Sequence, residues 1–347
     1  MPNKTFKSDN QSGVHPDVLN ALTLCNQAHL PSYGNDPYTQ QATQLLKKIF
    51  NNQNAKIIYC MNGTGANVLA LKLCLKSYQS VICAKSAHIN SNETGAPESM
   101  VGCKIIGIES QNGKLSPQQI ETCYQWQTAN GIHRSQPRMV SISQTTEYGT
   151  VYTASELKKI KATCTKLDLL LHIDACRIYN AAAFLNKPLN ALTTDIGADI
   201  ISLGGTKNGA MFAECVLIFN EKLQEGSDYL QKNMLQLYSK NRYIAAQFIA
   251  LFTDNLWLQN AQNANNIAHY LALELEKIEI IKLVFPHQSN QLFAAMPLAL
   301  CQHLQMLGYC YIWSENPPQV RFVTSFDSTK TDVDELIQAI NQYNKPN

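Results

Sequence analysis

Asp199-Ile200-Ile201-Ser202-Leu203-Gly204-Gly205-Thr206-Lys207-Asn208-Gly209 joins a short apolar run to a glycine-rich loop that carries a lysine. The run reads as a buried strand, and the loop follows it directly. Upstream, Leu169-Leu170-Leu171-His172-Ile173-Asp174-Ala175-Cys176-Arg177 repeats the pattern of an apolar strand with charged residues at its end. Lys56 to Cys60 reads as another strand, leading through Asn62-Gly63-Thr64-Gly65 into an amphipathic stretch from Ala66 to Tyr78. Further strands are expected over Ser80–Cys83, Cys103–Ile108, Arg138–Ile142 and Cys215–Phe219. Continuous apolar strands alternating with helices predict an α/β fold with a mostly parallel sheet covered by helices on both faces. Ligands of such sheets sit outside the carboxyl ends of the strands. Gly63/Thr64, Gln144/Thr145, Asp174 and Lys207 all directly follow strands, so one cleft can gather them. From about Leu235 to Ala272 the pattern is helical, and a smaller mixed α/β region containing Val320-Arg321-Phe322-Val323 follows. The expected division is a large domain with its N-terminal arm over residues 1–245 and a small C-terminal domain over 246–347.

The chain has 347 residues, 45% hydrophobic and 16% charged, as expected of a globular protein with a large core. A net charge of +2 gives no electrostatic footprint for nucleic acid. No apolar run is long enough to span a bilayer, and the N-terminus lacks the apolar region of a secretory signal. The eleven cysteines are scattered through expected strands and helices, which points to free thiols in a reducing cytoplasm. No His/Cys cluster has zinc-site spacing, so no metal is expected.

Lys207 lies between Gly204-Gly205 and Gly209. Glycines let backbone approach a ligand closely, and a lysine kept from water is a competent nucleophile toward an aldehyde. Asp174 either caps the next helix, pairs with Arg177, or bonds a protonated pyridine nitrogen. Lys207 and Asp174 together are the two protein groups that pyridoxal 5′-phosphate chemistry needs. The turn at Gly63 and Thr64 opens a helix whose free N–H groups and dipole attract an anion such as phosphate, although such turns also occur without ligands. His88 follows another strand and is either structural or stacked on a cofactor ring, with Glu93 placed to orient it. Arg321 lies on an apolar strand, where it needs either an internal ion pair or a substrate carboxylate.

Taken together, Ser8-Asp9-Asn10, Tyr33-Gly34-Asn35-Asp36-Pro37-Tyr38-Thr39, Gly63-Thr64 with Ala66-Asn67, Ala87-His88-Ile89, His172-Ile173-Asp174 with Arg177, and Thr206-Lys207-Asn208-Gly209 resemble the threonine aldolase/β-eliminating lyase family, over roughly residues 5 to 330. The resemblance implies the fold-type-I architecture of pyridoxal-phosphate enzymes and cleavage of β-hydroxy-α-amino acids, such as L-threonine or L-allo-threonine, to glycine and an aldehyde. The rival within the same chemistry is another lyase, working by β-elimination or by dehydration of a substituted alanine, serine or threonine. By the same resemblance Lys207 holds the cofactor aldehyde as a Schiff base, and Asp174 bonds the ring nitrogen. Arg177 lies near the ring hydroxyl and the substrate, Gly63 and Thr64 hold the phosphate, and His88 stacks on the ring. Ser8 and Arg321 grip the substrate carboxylate. His133, eight positions before Ser141, is expected near the substrate hydroxyl, where it, His88 or a water acts as base. The resemblance also implies a homotetramer built as a dimer of dimers, with sites completed across the dimer interface and Lys240 or Arg242 of a neighbouring subunit reaching the phosphate. Many members read His-Leu-Asp-Gly-Ala-Arg where this chain has His172 to Arg177, and Glu-Asn-Thr-His where it has Ser143-Gln144-Thr145-Thr146-Glu147. The second departure falls in the loop that faces the substrate. Cys176, beside Asp174, reads as a small buried residue.

Overall fold

The computed structural model describes residues 5–343. Seven strands form one sheet: β1 (Lys56–Cys60), β2 (Gln79–Ala84), β3 (Lys104–Ile108), β4 (Gln136–Ser143), β5 (Leu170–Ala175), β6 (Ile200–Gly204) and β7 (Glu214–Ile218). Their order is β1-β7-β6-β5-β4-β2-β3. Neighbours from β6 across to β3 are parallel, whereas β7 runs antiparallel to both β6 and β1.

Alternation explains why these strands are apolar throughout. Successive side chains point to opposite faces. Met139, Leu170 and Ile200 enter one core, against the helix Gly63–Cys74, while Val140, Leu171 and Ile201 enter the other. With both faces covered, a strand has no solvent side to leave polar. In the second core the helix Arg242–Phe252 packs against the helices Pro16–Cys25 and Pro37–Ile49.

The helical stretch expected from Leu235 is interrupted. Helix begins only at Arg242, and a break at Thr253-Asp254-Asn255 separates it from the helix Leu256–Glu276. Asp254 (φ 49°) and Asn255 (φ 57°) take left-handed backbone, which short polar side chains tolerate best after glycine. The C-terminal part carries an antiparallel sheet, β8 (Lys282–Leu283), β9 (Gln291–Ala295), β10 (Tyr311–Glu315) and β11 (Pro318–Val323), in the order β10-β11-β9-β8. Its core also takes in Phe6 from the N-terminal arm. Phe6 donates to the Tyr309 carbonyl (2.8 Å) and accepts from the Val323 N–H (2.7 Å). That anchor fixes Asp9, three residues on, at the edge of the cleft. Among the described residues no helix is long and apolar enough to cross a membrane, and all eleven cysteines are free.

Candidate active site

The register of the sheet sets the site. Ser143 pairs with Asp174, Asp174 with Ser202, and Gly204 with Glu214. The carboxyl ends of β4, β5 and β6 therefore meet the N-terminus of the helix Gly63–Cys74. A narrow cleft of about 60 Å³ there is lined by Gly63, Thr64, His88, Asp174, Arg177 and Lys207, with Asn67, Ser143, Thr145, Glu147 and Cys176. It shares Gly63, Thr64, His88, Cys176 and Lys207 with a wider cleft of about 380 Å³.

Asp174 is the electrostatic centre. Its Oδ2 accepts from Asn67 Nδ2 (3.0 Å) and its Oδ1 from the Cys176 N–H (3.1 Å). Burial alone would raise this carboxyl. His88, Lys207 and the Asn67 amide outweigh burial and hold it below the ordinary range, so it stays an anion. Asn67 also donates to Glu93 Oε1 (2.8 Å), which lies 2.7 Å from His88 Nδ1. Glu93 accepting there places a ring hydrogen on Nδ1, so in the neutral ring it is Nε2 that carries the lone pair. Beneath Asp174, His172 bridges β4 and β6, with Nδ1 2.8 Å from Ser141 Oγ and Nε2 2.9 Å from Ser202 Oγ. Burial lowers His172 to about 4, so this bridge is neutral.

Arg177 is held by an acid that sequence reading did not single out. Its Nε and Nη2 donate to Asp9 Oδ2 (2.7 Å) and Oδ1 (2.9 Å), and Asn290 Nδ2 adds a bond to Asp9 (3.0 Å). Asp9 would be raised by burial, but Arg177 outweighs that and holds it low. Arg321 is different. It donates to the Lys7 carbonyl (3.3 Å) and stands 5.3 Å from the Trp313 ring centroid. No carboxylate of the described residues pairs with it, and burial, followed by repulsion from Arg177, lowers its pKa. The internal ion pair allowed for Arg321 belongs instead to Arg177.

Not every expected residue reaches the cleft. His133 is exposed, in a short turn before β4, whereas the cleft lies beyond the last residue of β4. The eight-residue strand between them spans roughly 26 Å, so His133 lies far from the cleft of its own chain. Ser8 caps the turn Asp9–Gln11, accepting from the Asn10 N–H (3.2 Å), and lines neither cleft. Lys240 and Arg242 line a separate surface cleft of about 520 Å³.

Sequence reading also passed over Glu147 and Glu214. Glu147 Oε1 accepts from the His88 N–H (2.9 Å) and Ser143 Oγ (2.6 Å), and burial raises its pKa. The signal available for Glu147 was its place in the loop that departs from Glu-Asn-Thr-His. Glu214 opens a strand instead of ending one. Only the antiparallel direction of β7 brings it to this end of the sheet.

Residues 5–297 match the family model for beta-eliminating lyases. The chain belongs to that family. It is 39% identical to a low specificity L-threonine aldolase of a Pseudomonas species over 333 residues, covering 95% of each chain. It is 37% identical to the low specificity L-threonine aldolase of Pseudomonas aeruginosa over 336 residues, covering 96% of each. The solved structure of Leishmania major threonine aldolase superposes with a TM-score of 0.91 at 28% identity, covering 98% of this chain and 99% of that one.

Beta-eliminating lyases and threonine aldolases depend on pyridoxal phosphate, and the residues present fit that group. An anionic carboxylate at a strand end suits a ring that must stay protonated. Lys207 offers a primary amine in the same cleft, and the open end of a twelve-residue helix suits a phosphate. The buried Thr145 Oγ1 and Glu93 Oε2 find no hydrogen-bond partner among the described residues, which leaves polar capacity near the cleft for a ligand.

Proposed function

We propose that the chain cleaves the Cα–Cβ bond of β-hydroxy-α-amino acids with pyridoxal 5′-phosphate, converting L-threonine or L-allo-threonine to glycine and acetaldehyde. The observation that carries this is near-full-length identity of 39% to a low specificity L-threonine aldolase, in a chain whose cleft gathers Lys207, Asp174 and His88. When bound, the cofactor supplies an aldehyde that captures the substrate amine and a protonated ring that accepts the electrons of the broken bond.

The residues divide the remaining work. Lys207 Nζ would hold the cofactor through its aldehyde. Asp174 keeps the ring nitrogen protonated, and Asn67 keeps Asp174 oriented. Gly63 and Thr64 hold the phosphate through the start of their helix. His88 would cover the ring face, and its Nε2, set by Glu93, would take the β-hydroxyl proton. Arg321 binds the substrate carboxylate with Ser8 nearby, and Arg177, fixed by Asp9, lies beside the ring hydroxyl and the substrate. Holding the scissile bond in the reactive orientation is worth on the order of 7 kcal/mol in favourable cases.

We take the division at residues 1–245 and 246–347 as the domain boundary and the protein as a cytoplasmic homotetramer of paired dimers. The unbonded thiols support the compartment. The exposed apolar side chains of Leu24, Tyr33 and Leu235, near Lys240 and Arg242, support an interface there.

The test is a product assay with purified protein, pyridoxal phosphate and L-threonine. Glycine and acetaldehyde are expected, and Lys207→Ala should remove both the products and the visible absorbance of the bound cofactor. 2-Oxobutyrate and ammonia would instead establish the dehydrating lyase.

A further inference from the structure

Glu214 is the first residue of β7. Because that strand is antiparallel to its neighbours, Glu214 lies where they end, opposite Gly204 of β6 and Cys60 of β1. It is only 5% exposed. Thr206 stands close enough to its carboxyl to pull its pKa down against burial. One carboxylate oxygen, Oε2, is buried with no hydrogen-bond partner among the described residues. The chain makes room for that oxygen, since a Cβ on Gly204 would stand 2.6 Å from Oε2.

The wider cleft that Glu214 lines is also lined by Asn62, Gly63, Thr64, Thr206 and Lys207. This is the end where the helix Gly63–Cys74 opens. Asn62 Oδ1 takes up the Gly65 N–H (2.7 Å), and it caps only one of the helix's free donors. A buried acid beside an anion-attracting helix end is a contradiction if the acid is charged, and it resolves if the acid carries a proton that needs an acceptor. We propose that Glu214 faces the phosphate of the bound cofactor as a neutral carboxylic acid and donates its proton to a phosphate oxygen. The inference rests on the cofactor reading above and adds a residue to the phosphate site.

The surroundings agree. Burial, the largest influence, pushes Glu214 up to about 7; Thr206 and Lys207 pull it down and Asp174 pushes it up. The other titratable groups facing it are Cys60 of β1, Cys176 after β5, Tyr179 of the following helix and Cys215 of β7 itself. Burial raises all four well above their ordinary values, so they stay neutral and leave Lys207 and Asp174 as the charged neighbours. A phosphate dianion beside Glu214 raises its pKa further. The donated bond is then fully present below the free value near 7 and is lost as pH rises through the higher, ligand-bound value. Between the two, affinity falls by up to about tenfold per pH unit.

Pyridoxine 5′-phosphate tests this without involving Lys207, because it has the ring and phosphate but no aldehyde. Its Kd is measured by calorimetry from about pH 6.5 to about pH 8.5. Wild type should weaken steeply over the alkaline half. Glu214→Gln, whose amide donates without titrating, should lose that slope and bind more tightly than wild type at the alkaline end. Equal slopes, or a variant weaker by one constant factor at every pH, would overturn the proposal. Unphosphorylated pyridoxine with wild type is the second measurement, independent of the variant's folding. It should lack the slope, and an equal slope would also overturn the proposal. If wild type binds neither pyridoxine 5′-phosphate nor pyridoxal phosphate at any pH, the cofactor reading itself fails.

Discussion

Replacing Arg321 with alanine should separate function from stability. The guanidinium is half-buried, donates one 3.3 Å bond to the Lys7 carbonyl and otherwise leans on Trp313. Its lowered pKa records a cation kept from water beside a second cation, Arg177. A half-buried charge without a carboxylate partner is a cost in the free protein, and a ligand carboxylate that pairs with it offsets that cost. A substrate carboxylate fits the guanidinium fork with two charge-assisted bonds, each worth about 1.5–3 kcal/mol. Losing both gives about 3–6 kcal/mol, so kcat/KM should fall by about two to four orders of magnitude. The melting temperature of the free protein should stay level or rise, because alanine removes an uncompensated charge. Arg321→Lys keeps the charge but not the fork and should fall between the two. Steady-state kinetics with L-threonine and thermal unfolding of the cofactor-free protein make the measurement. A variant that melts several degrees lower yet keeps wild-type kcat/KM would refute the reasoning and return Arg321 to a structural role.

Two further changes probe the frame beneath the site. His172 is lowered from an ordinary 6.5 to about 4, so the unfolded chain binds a proton the folded one refuses. Stability should be intact above pH 6.5 and fall by up to about 3 kcal/mol as pH drops toward the folded value. Urea unfolding across that window should show the fall in wild type and lose this component in His172→Gln; identical pH profiles would reject it. Gly204→Ala would set a methyl group 2.6 Å from Glu214 Oε2 and 3.1 Å from the Cys176 Cα, which is backbone and cannot swing away. Overpacking of this kind costs about 1–3 kcal/mol, and an unchanged urea midpoint would show that the close approach is not obligatory.

The large sheet was legible because its strands are buried on both faces. A run such as Leu169 to Ile173 has no reading as a half-exposed strand, and all seven runs appear within about two residues of their expected limits. The residues that follow parallel strands were legible for the same reason, since topology gathers Asp174 and Lys207 at one end. Glu214 escaped because the rule points to residues after strands, and pattern alone does not reveal that β7 runs backward. Asp9 escaped because its partner Arg177 is 168 positions away, a pairing set by the anchoring of Phe6 in the C-terminal core. His133, placed by the resemblance alone, lies at the far end of β4 from its own chain's cleft. The break at Asp254 and Asn255 was hidden because apolar periodicity continues on both sides of it.

The arrangement of charge around the cleft gives one physical account of these separate observations. Arg177 is neutralised by Asp9 with bidentate geometry, and Asp174 is a buried anion oriented by Asn67 and the Cys176 N–H, with acceptor capacity left over. Those charges have partners within the chain, which lets them hold position before any ligand arrives. Among the described residues Arg321 has no carboxylate partner, and Glu214 Oε2 has no hydrogen-bond partner. Both are left incomplete, and a carboxylate for the first and a phosphate for the second would complete them. Ligand binding then makes these bonds without first breaking internal ones, so little of their strength is lost to rearrangement. The same logic separates the two kinds of mutation. Removing Asp9 should damage the fold of the arm even without ligand, because it strands Arg177. Removing Arg321 should be felt only when the amino acid binds.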